Sequence, residues 1–286
     1  MFRLYHGRRM RVRLPSRKKL FFKIITLGAV IISAPVFSNG RTERINELER
    51  QRDKRPPPTN QVGLGTSFSS SLYKVGDQFD IPVVPSINYN YKRFSFRGIA
   101  ASFRLFPLTS LTLTPDFNKV EAEAGTYNDG LRERDRSLDL GLTFILPSKW
   151  FMTRFSYTHD ISGRSEASKY YVSVSKAFPI EPWKGEKIVL IPGITYSQYS
   201  DNWSRYYFGV SSAEARADRP EYTPGASHQL SARLIVNYPI GKKYVLNSFY
   251  SYTKYSGAVE DSPLTKRGYR ESIFLGLNYI LGESTR

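Results

Sequence analysis

Long segments of the chain alternate apolar and polar residues with a period of two from residue 61 onward. In 137–146 the four leucines and one phenylalanine at even positions share one face, while Asp139 and Thr143 lie on the other. Because successive side chains of a strand point to opposite faces, this pattern predicts a strand with one apolar face. The same split recurs in 228–238 and 272–281. Weaker versions occupy 81–91, 94–106, 109–118, 149–158, 167–178, 187–199 and 243–254.

The length of these segments favours a membrane barrel over a soluble one. They run for 10 to 13 residues, whereas ordinary strands have about five or six and a tilted membrane-spanning strand needs about nine to eleven. Aromatic side chains, which favour the membrane interface, gather near the segment ends, as at Tyr89, Tyr91, Trp150 and Phe151. The alternation therefore predicts an all-β protein, a transmembrane antiparallel β-barrel. A tyrosine-rich soluble barrel or sandwich is the alternative.

The predicted barrel has 10 to 12 strands. Ten segments lie between 81 and 281, which gives the even number that antiparallel closure requires. Two further pieces, 61–72 and the run Trp203 to Val210, would raise the count to twelve. Because inner turns of such barrels are short and outer loops are long, connection length predicts the two sides. The predicted inner turns are 147–149, 179–186 and 241–242, and the predicted outer loops are 119–136, 159–166, 200–227 and 256–270.

Residues 1–38 have the parts of a secretory signal peptide. Nine Lys or Arg and no acidic residue precede an uncharged apolar run. That run is shorter than the roughly 20 residues that span a bilayer, which favours a cleavable signal over an uncleaved anchor. We predict cleavage after Ser38, with Ala34 as the alternative. Translation starts at Met1 or at Met10.

Residues 39–60 combine dense mixed charge with the run Pro56-Pro57-Pro58. Such a composition buries too little apolar surface to order itself as a domain, and consecutive prolines are extended and stiff. We predict a disordered periplasmic tether here, followed by the outer-membrane barrel in 61–286.

The formal net charge of +17 raises the question of a nucleic-acid partner. The nine basic residues of 1–38 hold about half of this excess, and the rest of the chain has 33 basic against 25 acidic residues. Proteins that track phosphates concentrate their basic residues on one helix or patch. Here the basic residues are spread among strands and loops, so no nucleic-acid partner is predicted.

The chain has no conventional catalytic or metal-binding motif. The absence of cysteine excludes disulfides and thiolate metal sites. Two histidines follow the leader, His159 and His228, without the close spacing of zinc ligands. His159 and Asp160 stand beside Ser162, but a triad is defined by mutual geometry and not by adjacency in sequence. We predict no catalytic, cofactor or metal site, and an enzyme remains the third choice among functions.

Four charged residues lie on or near the polar faces of predicted strands: Asp139, Arg154, Lys176 and Arg233. We expect their side chains to project into the lumen of the barrel. There they either line a water channel or pair across the interior and plug it. Pairing is favoured if the barrel is small, because about eight strands leave room only for side chains.

Several motifs together resemble the MltA-interacting protein family, also called MipA/OmpV. The most specific is Tyr206-Tyr207-Phe208-Gly209-Val210, followed by Glu214-Ala215 and by Arg219-Pro220-x-Tyr222-x-Pro224. The other matching pieces are Pro85 to Gly98, Gly130 to Leu142, Asp160 to Gly163, Ser262-Pro263 and Gly276 to Tyr279. The resemblance covers roughly residues 61–282.

The resemblance implies an outer-membrane barrel that acts as a scaffold between a lytic murein transglycosylase and a bifunctional murein synthase. A small diffusion channel and a surface adhesin or antigen are the alternatives. The candidate binding loop contains Tyr206, Tyr207, Glu214, Arg219 and Tyr222. Its two prolines fix φ and favour a rigid outer loop. We expect an ion pair between Glu214 and Arg219 to lock it, with the two adjacent tyrosines packed beneath.

Overall fold

The structure, a computed structural model, describes residues 60–75, 82–183 and 186–282. The predicted signal peptide and residues 39–59 of the predicted tether lie outside the described residues. The elements are, in chain order, β1 (Gln61–Ser69), β2 (Val83–Tyr91), β3 (Phe94–Arg97), β4 (Ala100–Phe106), β5 (Thr109–Pro115), β6 (Leu138–Pro147), β7 (Met152–Asp160), β8 (Ser168–Ser175), β9 (Phe178–Trp183), β10 (Glu186–Tyr199), α1 (Asp201–Phe208), β11 (Ser227–Ile240), β12 (Tyr244–Tyr255), α2 (Gly257–Glu260) and β13 (Tyr269–Ile280).

The strands form one closed antiparallel sheet. Each strand pairs with its neighbours in chain order, and β1 pairs with β13 to close the ring. β8 and β9 share one place in the wall, because both pair with successive parts of β10 while β10 pairs with β11 on its other side. The wall therefore has twelve strands. The predicted all-β transmembrane barrel of 10 to 12 strands is confirmed.

The count of twelve arises differently from the prediction. Residues 61–69 of the segment 61–72 form β1, as one option allowed. The segment 94–106 is two strands and not one, because Gly98 adopts a φ of 59° and reverses the chain between Arg97 and Ala100, which pair with each other. Glycine reaches a positive φ without the steric cost of a Cβ.

The predicted strand from Trp203 to Val210 is wrong, because most of this run lies in α1. The buried residues of α1 are Trp203, Ser204, Tyr207 and Phe208, a spacing that places them on one helical face. Asp201 and Arg205 form an ion pair one turn apart on the exposed face. The three consecutive aromatic residues, which favour strands by propensity, hid this helical period.

The barrel has two different ends. The described turns at one end are only two to four residues long, at 92–93, 107–108, 148–151 and 241–243. The other end carries the longer connections, apart from the short β3–β4 turn. We call the short-turn end the inner end, following the usual arrangement of outer-membrane barrels. The predicted inner linker 179–186 is mostly strand, since β9 reaches Trp183 and β10 begins at Glu186.

Strand register separates an outward apolar face from an inward polar one. On β6, Leu142 and Phe144 point outward and are about two-fifths exposed, while Asp139, Gly141 and Thr143 point inward. The outward face suits a lipid environment, in which backbone groups must pair within the sheet. No helix among the described residues is long and apolar enough to cross a membrane.

The hydrophobic core lies at the outer end and is built largely by loops. Residues 70–75, 116–137, 200–226 and 256–268 pack together over the outer mouth; we call this assembly the outer plug. Its buried apolar side chains, together with those of adjoining wall residues, are Leu72, Tyr73, Val120, Leu131, Ala167, Tyr199, Trp203, Tyr207, Phe208, Val210, Tyr255, Val259 and Leu264. The plug is thus a small folded core seated on the barrel.

Candidate functional site

The helix α1 is the centre of the outer plug. Trp203 is 1% exposed, and its ring stacks on Tyr199 of β10 with centroids 4.1 Å apart. Phe208 at the end of the helix stacks on Tyr73 from the β1–β2 connection, with centroids 5.2 Å apart. Ser204 donates a hydrogen bond of 2.8 Å to Ser227 on β11. These contacts fix the helix against the wall and against a second loop.

A buried lysine ties the wall to the plug. Lys169 on β8 is 1% exposed, and its ammonium lies 2.7 Å from a carboxylate oxygen of Asp139 on β6. It also pairs with Asp116 in the β5–β6 loop, which accepts a 2.9 Å hydrogen bond from the Trp203 indole. Burial acts to raise the pKa of Asp116, but Lys169 and the hydrogen bonds from Asn118 and Trp203 hold it below its ordinary value.

A second buried ion pair joins two loops of the plug. Arg134 donates to both oxygens of Glu214 at 3.1 Å. The same carboxylate accepts backbone N–H bonds from Ser211 and Arg132. Burial acts to raise the pKa of Glu214, but these N–H donors and the charge of Arg134 hold it below its ordinary value. The expected Glu214–Arg219 ion pair is therefore wrong, because Arg134 occupies the carboxylate.

Arg219 is a positioning residue inside the plug. It is 1% exposed, and its guanidinium donates to the backbone carbonyls of Tyr127, Asp129 and Glu214 at distances of 2.5 to 3.1 Å. Arginine suits this role because its rigid fork presents several donors at once. A partner cannot reach Arg219 unless the loop opens.

The tyrosines of the candidate binding loop also act within the plug. The Tyr207 hydroxyl donates to the carbonyl of Asp135 at 3.1 Å, and the Tyr206 hydroxyl accepts from the N–H of the same residue at 3.0 Å. Tyr222 pairs by its backbone with Val210 and donates from its hydroxyl to the carbonyl of Ala258 at 2.9 Å. Tyr207 is fully buried, while Tyr206 and Tyr222 are half-buried.

The predicted lumen residues divide into three groups. Asp139 points inward at the outer end and is held by Lys169. Arg154 on β7 and Arg233 on β11 point inward at a lower level, as strand register requires. Lys176 does not lie in the lumen: its ammonium sits over the rings of Trp150 and Phe178, 5.5 and 5.0 Å from their centroids. Lys176 has the even parity of the outward Val172 and Val174, so the alternation along β8 itself turns it away from the lumen.

A cavity lies at the inner end of the lumen. A cavity of about 350 Å³ is lined by inward side chains near the inner ends of the strands. Four of them are amides, Gln61, Asn88, Asn237 and Asn247, and Lys187 adds a positive charge. Val189, Pro239 and Val245 complete the lining, so the cavity combines amide, charged and apolar side chains.

The histidine positions give no catalytic arrangement. His159 and Asp160 are adjacent on β7 and so point to opposite faces of the wall. His159 hydrogen-bonds Ser168 at 3.0 Å on the outward face, while Asp160 accepts bonds from Ser162 and Ser165 within the β7–β8 loop. His228 stacks on Tyr196. The part of the chain that the structure describes contains no group of three potential metal ligands.

Comparison with known proteins adds family information to this geometry. A family model described as MltA-interacting protein MipA matches residues 62–281. The putative outer membrane protein YiaT of Escherichia coli K12 is 24% identical over 226 residues, 76% of this chain and 89% of that protein. The MltA-interacting protein of Escherichia coli K12 is 24% identical over 225 residues, 76% and 88% of the two chains. Outer membrane protein OmpV of Vibrio cholerae is 28% identical over 137 residues, 47% and 51% of the two chains.

Proposed function

The chain belongs to the MltA-interacting protein MipA family of outer-membrane barrels, and from this premise we propose that it is a scaffold for murein enzymes at the inner face of the outer membrane. The predicted family and outer-membrane localisation are confirmed. The scaffold role follows the relative named for its interaction with MltA. Its partners are a murein transglycosylase and a murein synthase, both of which meet the barrel from the periplasm.

The observation that carries this proposal is the difference between the two ends. The outer plug buries side chains of the predicted binding loop, Arg219 and Tyr207 included, so little of that loop is available to an external ligand. The four described inner turns instead carry five exposed basic side chains and no acidic one. They are Lys92, Arg93, Lys149, Lys242 and Lys243. A basic rim of this kind steers and orients an acidic surface on a periplasmic partner.

Affinity capture with the full chain tests the scaffold role. The tagged barrel is purified from solubilised envelopes, and co-purifying murein hydrolase and synthase are identified and quantified. We expect the double variant Lys242→Glu with Lys243→Glu to lose most of both partners, because it reverses two charges of the inner rim. The matched control, Arg132→Glu with Arg136→Glu, reverses two exposed charges of the outer plug and should retain them. Equal loss in both variants would contradict docking at the inner rim.

A diffusion channel is the second candidate, favoured by the cavity at the inner end of the lumen. The outer plug opposes it, because tightly packed side chains fill the mouth through which a solute would leave. Planar bilayers containing the full chain decide between the two. A silent bilayer supports the binding role, whereas stepwise conductance in the unaltered protein would support the channel.

A further inference from the structure

Three arginines project into the lumen from different parts of the wall. Arg97 lies on β3, Arg154 on β7 and Arg233 on β11, and strand register turns all three side chains inward. These strands are spread around the twelve-stranded ring, so their long side chains converge from different walls. The charge of Arg154 acts on both Arg97 and Arg233. We call this set the arginine girdle.

Among the residues that the structure describes, 60–75, 82–183 and 186–282, no carboxylate forms an ion pair with the girdle. Arg97 donates only to amide oxygens, at 3.0 Å to Asn88 and 3.5 Å to Asn90. The Nε atom of Arg154 is buried and has no hydrogen-bond partner among these residues.

The two acidic residues at the outer end cannot serve the girdle. Asp139 is bound to Lys169, and Asp160 accepts hydrogen bonds from the loop that follows β7. Like charges gathered in an enclosed space raise the local positive potential, and low-dielectric walls focus it. The arrangement is stabilised when an anion enters and accepts the free guanidinium donors.

The lumen provides access to the girdle from the inner end. Arg97 and Arg233 are both exposed, and strand register turns their side chains inward. Asn88, the hydrogen-bond partner of Arg97, lines the inner cavity, as does Asn237 four residues beyond Arg233 on the same face. The outer plug blocks the opposite end. A ligand reaching the arginines therefore enters from the periplasm and leaves the same way.

We infer that the arginine girdle is a binding site for a small periplasmic anion that carries at least two carboxylate or phosphate groups. Guanidinium groups bind planar and tetrahedral oxyanions through paired hydrogen bonds, and three of them from separate walls match more than one anionic group. The amides around the cavity supply hydrogen bonds to the neutral part of the ligand. This site does not depend on whether the inner rim binds a protein partner.

Calorimetric titration of the full chain, folded in detergent at low ionic strength, tests the site with two probes. Citrate represents carboxylates and pyrophosphate represents phosphates, each in a separate titration. We expect saturable binding of at least one probe, and the probe that binds identifies the preferred group. Failure of both to bind saturably would overturn the inference.

Matched variants locate the binding. Arg154→Gln should lower the affinity for the probe by about tenfold or more, because it removes a charge-assisted pair of hydrogen bonds. Arg93→Gln removes the same charge from an exposed inner turn and should leave affinity within about twofold. An equal loss in both variants would overturn the assignment to the girdle.

Thermal unfolding separates binding from a merely structural role. Without ligand, Arg154→Gln should raise the melting temperature of the barrel, because it relieves repulsion from Arg97 and Arg233. With the probe added, the melting temperature of the unaltered protein should rise, and that of the variant should not. A lower melting temperature without ligand would contradict the inference. A folded barrel migrates differently on a gel before and after boiling. If Arg154→Gln lacks this shift, both measurements are repeated with Arg233→Gln.

Discussion

The same strands enclose two different interiors. At the outer end, inward side chains such as Lys169 and Tyr255 are 1% and 7% exposed. Toward the inner end, Arg97 and Arg233 point the same way and are exposed. The wall is continuous between these levels, and its register does not change along β11 and β12. The difference therefore comes from what fills the barrel and not from the wall.

Barrel width explains why filling is needed. About eight strands enclose a space that wall side chains fill by themselves, and twelve strands enclose a wider one. At the outer end, long loops fold back and supply the missing volume, chiefly through α1 and its Trp203 and Phe208. At the inner end the turns are too short to do so, and a cavity remains there. Loop length thus decides where the protein has a core and where it has a cavity.

Removing the lysine that links the wall to the plug should have the largest effect on the difference between the two ends. Lys169→Met leaves Asp116 and Asp139 buried without their cation, which should cost the plug about 5 kcal/mol. We expect the plug to detach while the barrel stays folded. Limited proteolysis should then cleave within 200–226, and planar bilayers should show stepwise current through the opened lumen.

The control for this variant is Lys119→Met, which removes an exposed lysine that pairs with Glu121 in the same region of the plug. Exposed ion pairs contribute about 0 to 1 kcal/mol, so this change should alter neither proteolysis nor conductance. A Lys169→Met protein that resists protease as well as the unaltered chain would show that other contacts hold the plug.

Two tryptophans at opposite ends allow a comparison within one residue type. Trp203 is 1% exposed in the plug, and Trp150 is 66% exposed at an inner turn. Trp203→Ala should destabilise the plug by about 3 to 5 kcal/mol, because it leaves a large cavity and frees Asp116 from one hydrogen bond. Trp150→Ala should leave plug stability unchanged. The rate of hydrogen exchange in the 200–226 backbone measures plug stability in both variants. Equal destabilisation by the two substitutions would mean that the two ends are energetically coupled.

The strands could be predicted from sequence because each outward position must be apolar along the whole span. The exception was 94–106, which was predicted as one strand. The outward phenylalanines stand at even positions before the turn, Phe94 and Phe96, and at an odd position after it, Phe103. A two-residue hairpin shifts the parity of the alternation by one, so this shift, together with Gly98, is the signal in the sequence that marks the break.

The plug could not be predicted in the same way. Asp116, Asp139 and Lys169 stand 23 and 30 residues apart, and closure of the wall brings them within hydrogen-bonding distance. Asp139 was recognisable as inward-facing, but its partner was not, since no local pattern encodes a contact across the ring. For the same reason Arg219 looked like a binding residue, because its backbone partners belong to a distant loop.

Acid should loosen the plug before it affects the wall. Asp116 and Glu214 have pKa values below their ordinary values of 3.8 and 4.5 in the folded plug. The unfolded loops therefore bind protons more readily, and protonation favours unfolding. The stabilisation is complete above the ordinary values and is lost as pH falls through the lower folded values.

Fluorescence of Trp203, in a background that carries both Trp150→Phe and Trp183→Phe, measures this loss between pH 7 and pH 2. The effect should be smaller than either substitution above, because burial offsets part of the charge stabilisation at both carboxylates. Glu214→Gln should flatten part of the transition. A plug that loosens on raising the pH from 7 instead would reverse the sign and exclude these carboxylates as its cause.

The smallest expected effect comes from one hydroxyl at each end. Tyr222 donates to the carbonyl of Ala258 and so joins the β10–β11 loop to α2, whereas Tyr244 is 45% exposed on the outward face near the inner end. Tyr222→Phe should destabilise the plug by about 1 kcal/mol, because it leaves that carbonyl without its donor, and Tyr244→Phe should change nothing. Hydrogen exchange at Val259 and its neighbours resolves a difference of this size. A null result at Tyr222 would mean that water replaces the lost donor, and the plug would then be held by its core and buried charges alone.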